Sequence, residues 1–299
     1  MLNPAVEPDA AKVADSAGLS VRARTFRAAM RHPSIRFGGA IILAIVIACF
    51  GAPLFMHANP DLQNPLSTFL PPSWAHPFGT DDLGRDVLER VLYGGRYTMV
   101  GSVVAVFIGV VGGLVLGVVA GYAGGMVDMV IMRAMDIVLA FPGILSALAI
   151  TAILGPSLRN TVIAIGVAGI PGFCRIMYAA TVQAKTFTYV EAARAQGSPV
   201  VRMMRQHVLP AVFAQVIVSA TTGLGIGVLS IAGLGFLGLG VQPPTPEWGA
   251  ILNEGQQFLQ NAWWIGIFPG IFITLFVIAV NVVGDGLRDV LDPTLRGRG

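Results

Sequence analysis

A phosphate-binding P-loop needs a lysine directly after a glycine, because that lysine reaches the terminal phosphates. The sequence holds two lysines, Lys12 and Lys185, and each follows an alanine, so it encodes no P-loop. None of His32, His57, His76 and His207 precedes a glutamate, which removes the helical zinc-protease motif. Cys49 and Cys174 stand in apolar stretches without a CxxC partner. Neither a disulfide framework nor a thiolate metal site is therefore expected. No GxSxG nucleophile elbow occurs. The single GxGxxG match, Gly233-x-Gly235-x-x-Gly238, lies inside an uncharged run rather than after a strand, which argues against dinucleotide binding. The expectation is a chain with no catalytic residue, no metal site and no cofactor of its own.

The elements around these residues explain why chemistry is scarce. Of 299 residues, 55% are apolar and 12% charged, with a mean hydropathy of +0.73. Soluble domains carry roughly a quarter charged residues, so this chain cannot cover a soluble surface. A membrane-crossing helix needs about 20 mainly apolar residues. Candidates are Phe37–Met56, Tyr97–Val127, Ile137–Leu158, Asn160–Cys174 with Arg175 at its end, a stretch within Val208–Pro246, and Gly255–Gly284. Six spans place both termini on one side. With that side inside, 15 Lys and Arg fall in inner segments and only Arg85, Arg90, Arg96 and Arg159 outside, as the positive-inside rule requires. Trp74, Trp248, Trp263 and Trp264 all fall in outer loops, where tryptophan anchors at headgroup level. The division expected is an inner tail over 1–36, a first span over 37–56, an outer loop over 57–96, a core with five spans over 97–286, and an inner tail over 287–299. The N-terminal tail starts with acidic and small residues and has no signal-peptide core. Its basic part, Arg22 to Arg36, reads as a topology signal beside membrane lipid.

Spacing adds detail. Gly101, Ala105, Gly109, Gly113, Gly117 and Gly121 recur every four residues in the second span. Such a stripe lets another backbone approach, within the chain or from a partner subunit. The glycines of the fifth run suggest a helix bent or interrupted near the outer face. In the outer loop, Thr80 can cap a helix with Asp81 and Asp82 in its first turn. Leu83, Val87, Leu88, Val91 and Leu92 would share its face, Asp86 and Arg90 would pair at i,i+4, and Gly94 and Gly95 would end it. This amphipathic helix would scaffold the outer surface or guard an entrance. Arg133 and Asp136 form a candidate i,i+3 pair near the inner end of the third span.

The segment Thr186–Pro210, TFTYVEAARAQGSPVVRMMRQHVLP, is the most informative. Thr188 and Glu191 form a capping box that would start a helix near Tyr189, and Gly197 would stop it. Ser198 and Pro199 suit the N-cap and first turn of a second helix, which Pro210 would end. A short hairpin of this kind needs a partner to be stable.

Glu191-Ala192-Ala193, Gly197 and Leu209-Pro210 in this spacing resemble the EAA loop of ABC importer permeases, although His207 stands where the general pattern has isoleucine. HPFGTDDLGRDVLERVLYGGR (76–96), DIVLAFPGIL (136–145), GFLGLGVQPPTPEWG (235–249) and GDGLRDVLDP (284–293) are similar to the dipeptide, oligopeptide, glutathione and nickel importer branch, and within it to the C-type permease. The resemblance spans about residues 25–296. It implies an all-α integral membrane fold, a six-helix type I transmembrane domain with a cytoplasmic coupling helix. It implies a non-catalytic subunit paired with a B-type permease, with ATP and magnesium on separate ATPase subunits and an extracytoplasmic solute-binding protein. No nucleic-acid partner is implied. Glu191 would make the docking contact and Gly197 would hold the hairpin geometry. Arg202 and Arg205 are placed to meet acidic ATPase surface or solvent. Short peptides are the first substrate class implied, then glutathione, then nickel chelates. An ion-coupled secondary transporter, which would carry ionisable residues near mid-membrane, and a membrane enzyme are the competing classes.

Overall fold

The computed structural model describes residues 27–56 and 59–291. The N-terminal tail to residue 26 and the end from 292 lie outside that range, so the reading of an inner tail that starts with acidic and small residues falls on residues outside the described ones. The architecture is helical throughout. It comprises α1 (Pro33–Phe55), α2 (Val87–Ala123), α3 (Gly125–Leu139), α4 (Gly143–Leu154), α5 (Leu158–Lys185), α6 (Thr188–Ala195), α7 (Val200–Met203), α8 (Leu209–Phe236), α9 (Trp248–Gly255) and α10 (Trp264–Leu291). A π-helical turn, Met204–Val208, joins α7 to α8.

Among the described residues five helices are long and apolar enough to cross a membrane, or six if α3 and α4 count as one broken span. That pair corrects the expected continuous third span over Ile137–Leu158. The chain bends by 85° between α3 and α4. Pro142 causes the break, since it lacks an N–H and holds the preceding residue out of the helical region. α5 is a complete helix of 28 residues that carries Arg175 in its interior, and α8 runs unbroken through Gly223–Gly235 to end at Phe236.

α2 packs most extensively on α5. The reason is the glycine stripe, which faces this neighbour in the same chain. A Cβ on Gly109 would meet the Phe173 ring at 3.0 Å, one on Gly117 the Cys174 carbonyl at 2.5 Å, and one on Gly121 Thr181 Cβ at 2.9 Å. Gly113 is closed in by Phe173 and Cys174 in the same way. Outward faces of the spans are apolar, with Phe107 of α2, Ile153 of α4 and Phe213 of α8 well exposed, as lipid-facing helices require.

Two buried cores sit at opposite ends. At the far end, Cys49 and Ala52 of α1, Val87 and Val91 of α2, Trp248 and Ile251 of α9, and Trp264 and Ile273 of α10 form one cluster. At the hairpin end, Val118, Met177, Val190, Met203, Val208 and Val212 form another.

Candidate functional site

The hairpin is built by local rules. α6 begins at Thr188 with Phe187 as its N-cap and no side-chain cap, so the expected Thr188–Glu191 capping box does not form. The helix starts one residue early because the Phe187 carbonyl already accepts from the N–H groups of Val190 and Glu191. At the other end Gly197 N–H donates to the Arg194 carbonyl at 3.0 Å and Ser198 N–H to the Ala193 carbonyl at 3.1 Å. This is the Schellman arrangement, and the φ of +74° at Gly197 is what glycine supplies. Pro199, not Ser198, caps α7.

Leu209-Pro210 does not end the second helix. Val200 to Phe236 runs as one helical span, with Leu209 N–H donating to the Met204 carbonyl in π register. Pro210 has no N–H to give its α-partner and its ring crowds the carbonyl four residues back. The wider π turn makes room for both. The hairpin is thus continuous with a membrane helix. Val190 and Ala193 point into the core, while Glu191, Ala192, Gly197, Arg202 and Arg205 are exposed and Leu209 is half-buried.

Between α2, α4, α5 and α8 lies a cavity of about 610 Å³. Its walls are apolar, with Phe173, Ile144 and Ile226 prominent, and its side-chain polar groups are the hydroxyls of Ser219, Thr222 and Ser230. One helical turn from its lining residues Leu139 and Gly172 stands an ion pair that sequence spacing did not find. Asp136 of α3 accepts from the Arg175 guanidinium of α5, so the expected Arg133–Asp136 pair gives way to one between helices. Asp128 accepts from the Tyr178 hydroxyl at 2.9 Å, again joining α3 to α5.

At the far end the expected amphipathic helix from Thr80 to Gly95 is replaced by two pieces. Residues 80–86 form a loop closed by a Thr80–Asp86 bridge. Asp86 caps α2, accepting from Glu89 N–H at 3.1 Å. From there α2 runs through Gly94 and Gly95 without stopping. Those glycines allow close packing, since a Cβ on Gly94 would meet Glu247 Cα at 3.2 Å and one on Gly95 the Trp248 ring at 2.6 Å. Arg90 pairs with Asp81 at 2.7 Å and Glu254 at 2.8 Å rather than with Asp86. Arg85 bridges the same two carboxylates at 2.6 and 3.0 Å. Asp86 instead meets His76 Nδ1 at 2.8 Å. Trp248 and Trp264 are buried and donate to the Val91 and Thr80 carbonyls at 2.8 and 3.0 Å. They are internal anchors rather than headgroup anchors; Trp74 and Trp263 are exposed.

Glu247 is fully buried beside this network. Its carboxylate accepts from the Thr98 hydroxyl at 2.6 Å and from Ala250 N–H at 3.0 Å, capping α9. Burial pushes its pKa above the usual carboxylate range, against the Thr98 hydroxyl and the Gly249 and Ala250 N–H groups. Gly235 is the position on α8 that leaves room for it.

A family model described as binding-protein-dependent transport system inner membrane component matches residues 113–297. The dipeptide transport system permease protein DppC of Alkalihalophilus pseudofirmus is 42% identical over 259 residues, covering 87% of this chain and 85% of that protein. The glutathione transport system permease protein GsiD of Shigella flexneri is 43% identical over 277 residues, covering 92% and 90%. An inward-facing structure of the MetNI methionine ABC transporter shares the fold with a TM-score of 0.56 at 21% identity, covering 67% of this chain and 96% of that one. With its apolar helices, its hairpin and these relatives, the chain belongs to the binding-protein-dependent inner-membrane components, the multi-pass, non-catalytic permeases of ABC importers, which work with separate ATPase subunits and a solute-binding protein.

Proposed function

We propose that this chain is the C-type member of a permease heterodimer that imports short peptides, with its hairpin docked on a cytoplasmic ATPase. The observation that carries the reading is the buried core at the hairpin end. Val190 of α6, Met203 of α7 and Val208 of the π turn pack with Val118 of α2, Met177 of α5 and Val212 of α8. Close-packed interiors transmit displacement rather than absorb it, so a push on the exposed Glu191 face moves three spans. ATP and magnesium belong on the ATPase subunits, since neither lysine of this chain follows a glycine. The bias of basic residues toward hairpin-side segments supports cytoplasmic termini. Relatives named for dipeptide and di/tripeptide transport support the peptide reading. The similarity to GsiD supports glutathione, itself a peptide, as the second reading.

The test is ATP-driven uptake of a dipeptide by the reconstituted importer. Glu191→Ala and Gly197→Pro should abolish or strongly reduce uptake while membrane insertion persists, the second because proline cannot adopt a positive φ. Unchanged uptake in both variants would remove the hairpin from the mechanism.

A further inference from the structure

The Asp136–Arg175 pair stands deep in the bundle. Lys185, at the end of α5, donates to the Gly121 and Tyr122 carbonyls at 3.0 and 3.2 Å, which sets the ends of α2 and α5 level, and α3 starts from that same end. Arg175 lies ten residues up α5 from Lys185, about 15 Å at the helical rise, and Asp136 eleven residues up α3 from Gly125, about 16 Å. The two depths agree and lie well inside the bundle from its hairpin end.

Charged side chains at that depth face a bundle interior or a water-filled path, because lipid offers them no partners. Both side chains are open, at 53% and 38% exposure. They also adjoin the cavity. Arg175 falls at i+7 from Ala168 and i+3 from Gly172, and Asp136 one turn before Leu139, all three of which line it. The cavity wall itself offers hydroxyls and no charge.

We infer that Asp136 and Arg175 form a transit subsite for the two charged ends of a free peptide. The peptide carboxylate replaces Asp136 on the Arg175 guanidinium, and its ammonium replaces Arg175 on Asp136. The exchange trades one ion pair for two and leaves no charge unpaired in a low-dielectric site, where an orphaned charge is expensive. The apolar cavity beside the pair receives side chains without selecting among them. This inference rests on the peptide reading of the importer.

The test uses the assembled importer in lipid nanodiscs, without its binding protein, and three probes: dialanine, N-acetyl-dialanine and dialanine amide. Saturation-transfer NMR or equilibrium dialysis reads binding. The native complex should bind dialanine about tenfold more tightly than either blocked form, as loss of a charge-assisted contact implies. Arg175→Gln should make dialanine and its amide bind alike. Asp136→Asn should make dialanine and its acetyl form bind alike. Should a single variant fail to assemble, the double variant Asp136→Asn/Arg175→Gln, which leaves no unpaired charge, should bind all three probes alike. Equal binding of the three probes by the native complex, or equal loss of all three in both single variants, would overturn the subsite and leave a purely structural clasp. Uptake by the complete importer separates the two readings. Failure to import any dipeptide removes the peptide reading, whereas import with no dependence on free end groups removes the subsite alone.

Discussion

The surroundings of Glu247 resist the charged form of its carboxyl group. With its pKa raised by burial, the folded state holds the proton more tightly than the unfolded chain. Its contribution to stability is therefore fully present below the ordinary value near 4.5 and is lost as pH rises through the folded value. Glu247→Gln cannot lose a proton. Its melting temperature should gain on the native protein's as pH increases from 4.5 toward neutrality, and a constant difference across that range would refute the account. Glu247→Ala should cost about 1–3 kcal/mol near pH 4.5, since it strands the buried Thr98 hydroxyl and the Ala250 N–H, and less as pH rises. None of this was legible in sequence, where Glu247 reads as an outer-loop acid. The same holds for Asp81, Arg85, Arg90 and Glu254. A helical count pairs Asp86 with Arg90, but residues 80–86 are not helical, so loop geometry gives Arg90 to Asp81 and Glu254. Cys49 and Cys174 are buried and free.

At the scale of elements, the length of apolar runs located the long helices, and glycine spacing marked a close-packing face that belongs to the α2–α5 contact. Boundaries were less legible wherever a proline could be read two ways. Pro210 looked like a stop and is passed by a π turn; Pro142, within an apolar run, breaks one. Asn160–Cys174 looked weak as a span because Arg175 interrupts it, yet α5 continues because a partner on α3 receives that charge. The packing account makes a paired prediction. Gly117→Ala should destabilise the protein by about 1–3 kcal/mol through overpacking against the Cys174 carbonyl and Tyr178 N–H. Gly39→Ala, in the interior of α1 with nothing within 4 Å of its added methyl, should instead stabilise by up to about 1 kcal/mol from helix propensity. Thermal unfolding in detergent distinguishes the two.

The whole molecule is organised by its two ends. One holds buried aromatics and ion pairs that lock α1, α2, α9 and α10; the other holds the hairpin core, and the cavity and the Asp136–Arg175 pair lie between. Orientation in the membrane follows if the hairpin end is cytoplasmic. Because both native cysteines are fully buried, a single introduced thiol should dominate labelling by a membrane-impermeant maleimide. Gln196→Cys should label only from the cytoplasmic side and Trp74→Cys only from outside; the reverse pattern would invert the topology. Composition alone gave the membrane class, and motif spacing gave the hairpin. The cavity was invisible because it is made by residues from several helices whose mutual placement no single periodicity encodes.

The π turn at Met204–Val208 also sets an angular phase. A π turn carries one more residue than the α-helix it interrupts, so side chains before it are offset by about 100° relative to those after it. The hairpin can therefore aim its apolar face at its own core while α8 aims Ser219, Thr222 and Ser230 at the cavity. Deleting Gln206 together with Pro210→Ala, which removes the ring that α register would crowd, would restore α-helical register and swing the hairpin out of alignment with both helices still hydrogen-bonded. Such a protein should insert in the membrane yet import nothing in ATP-driven uptake, a timing fault rather than a broken part.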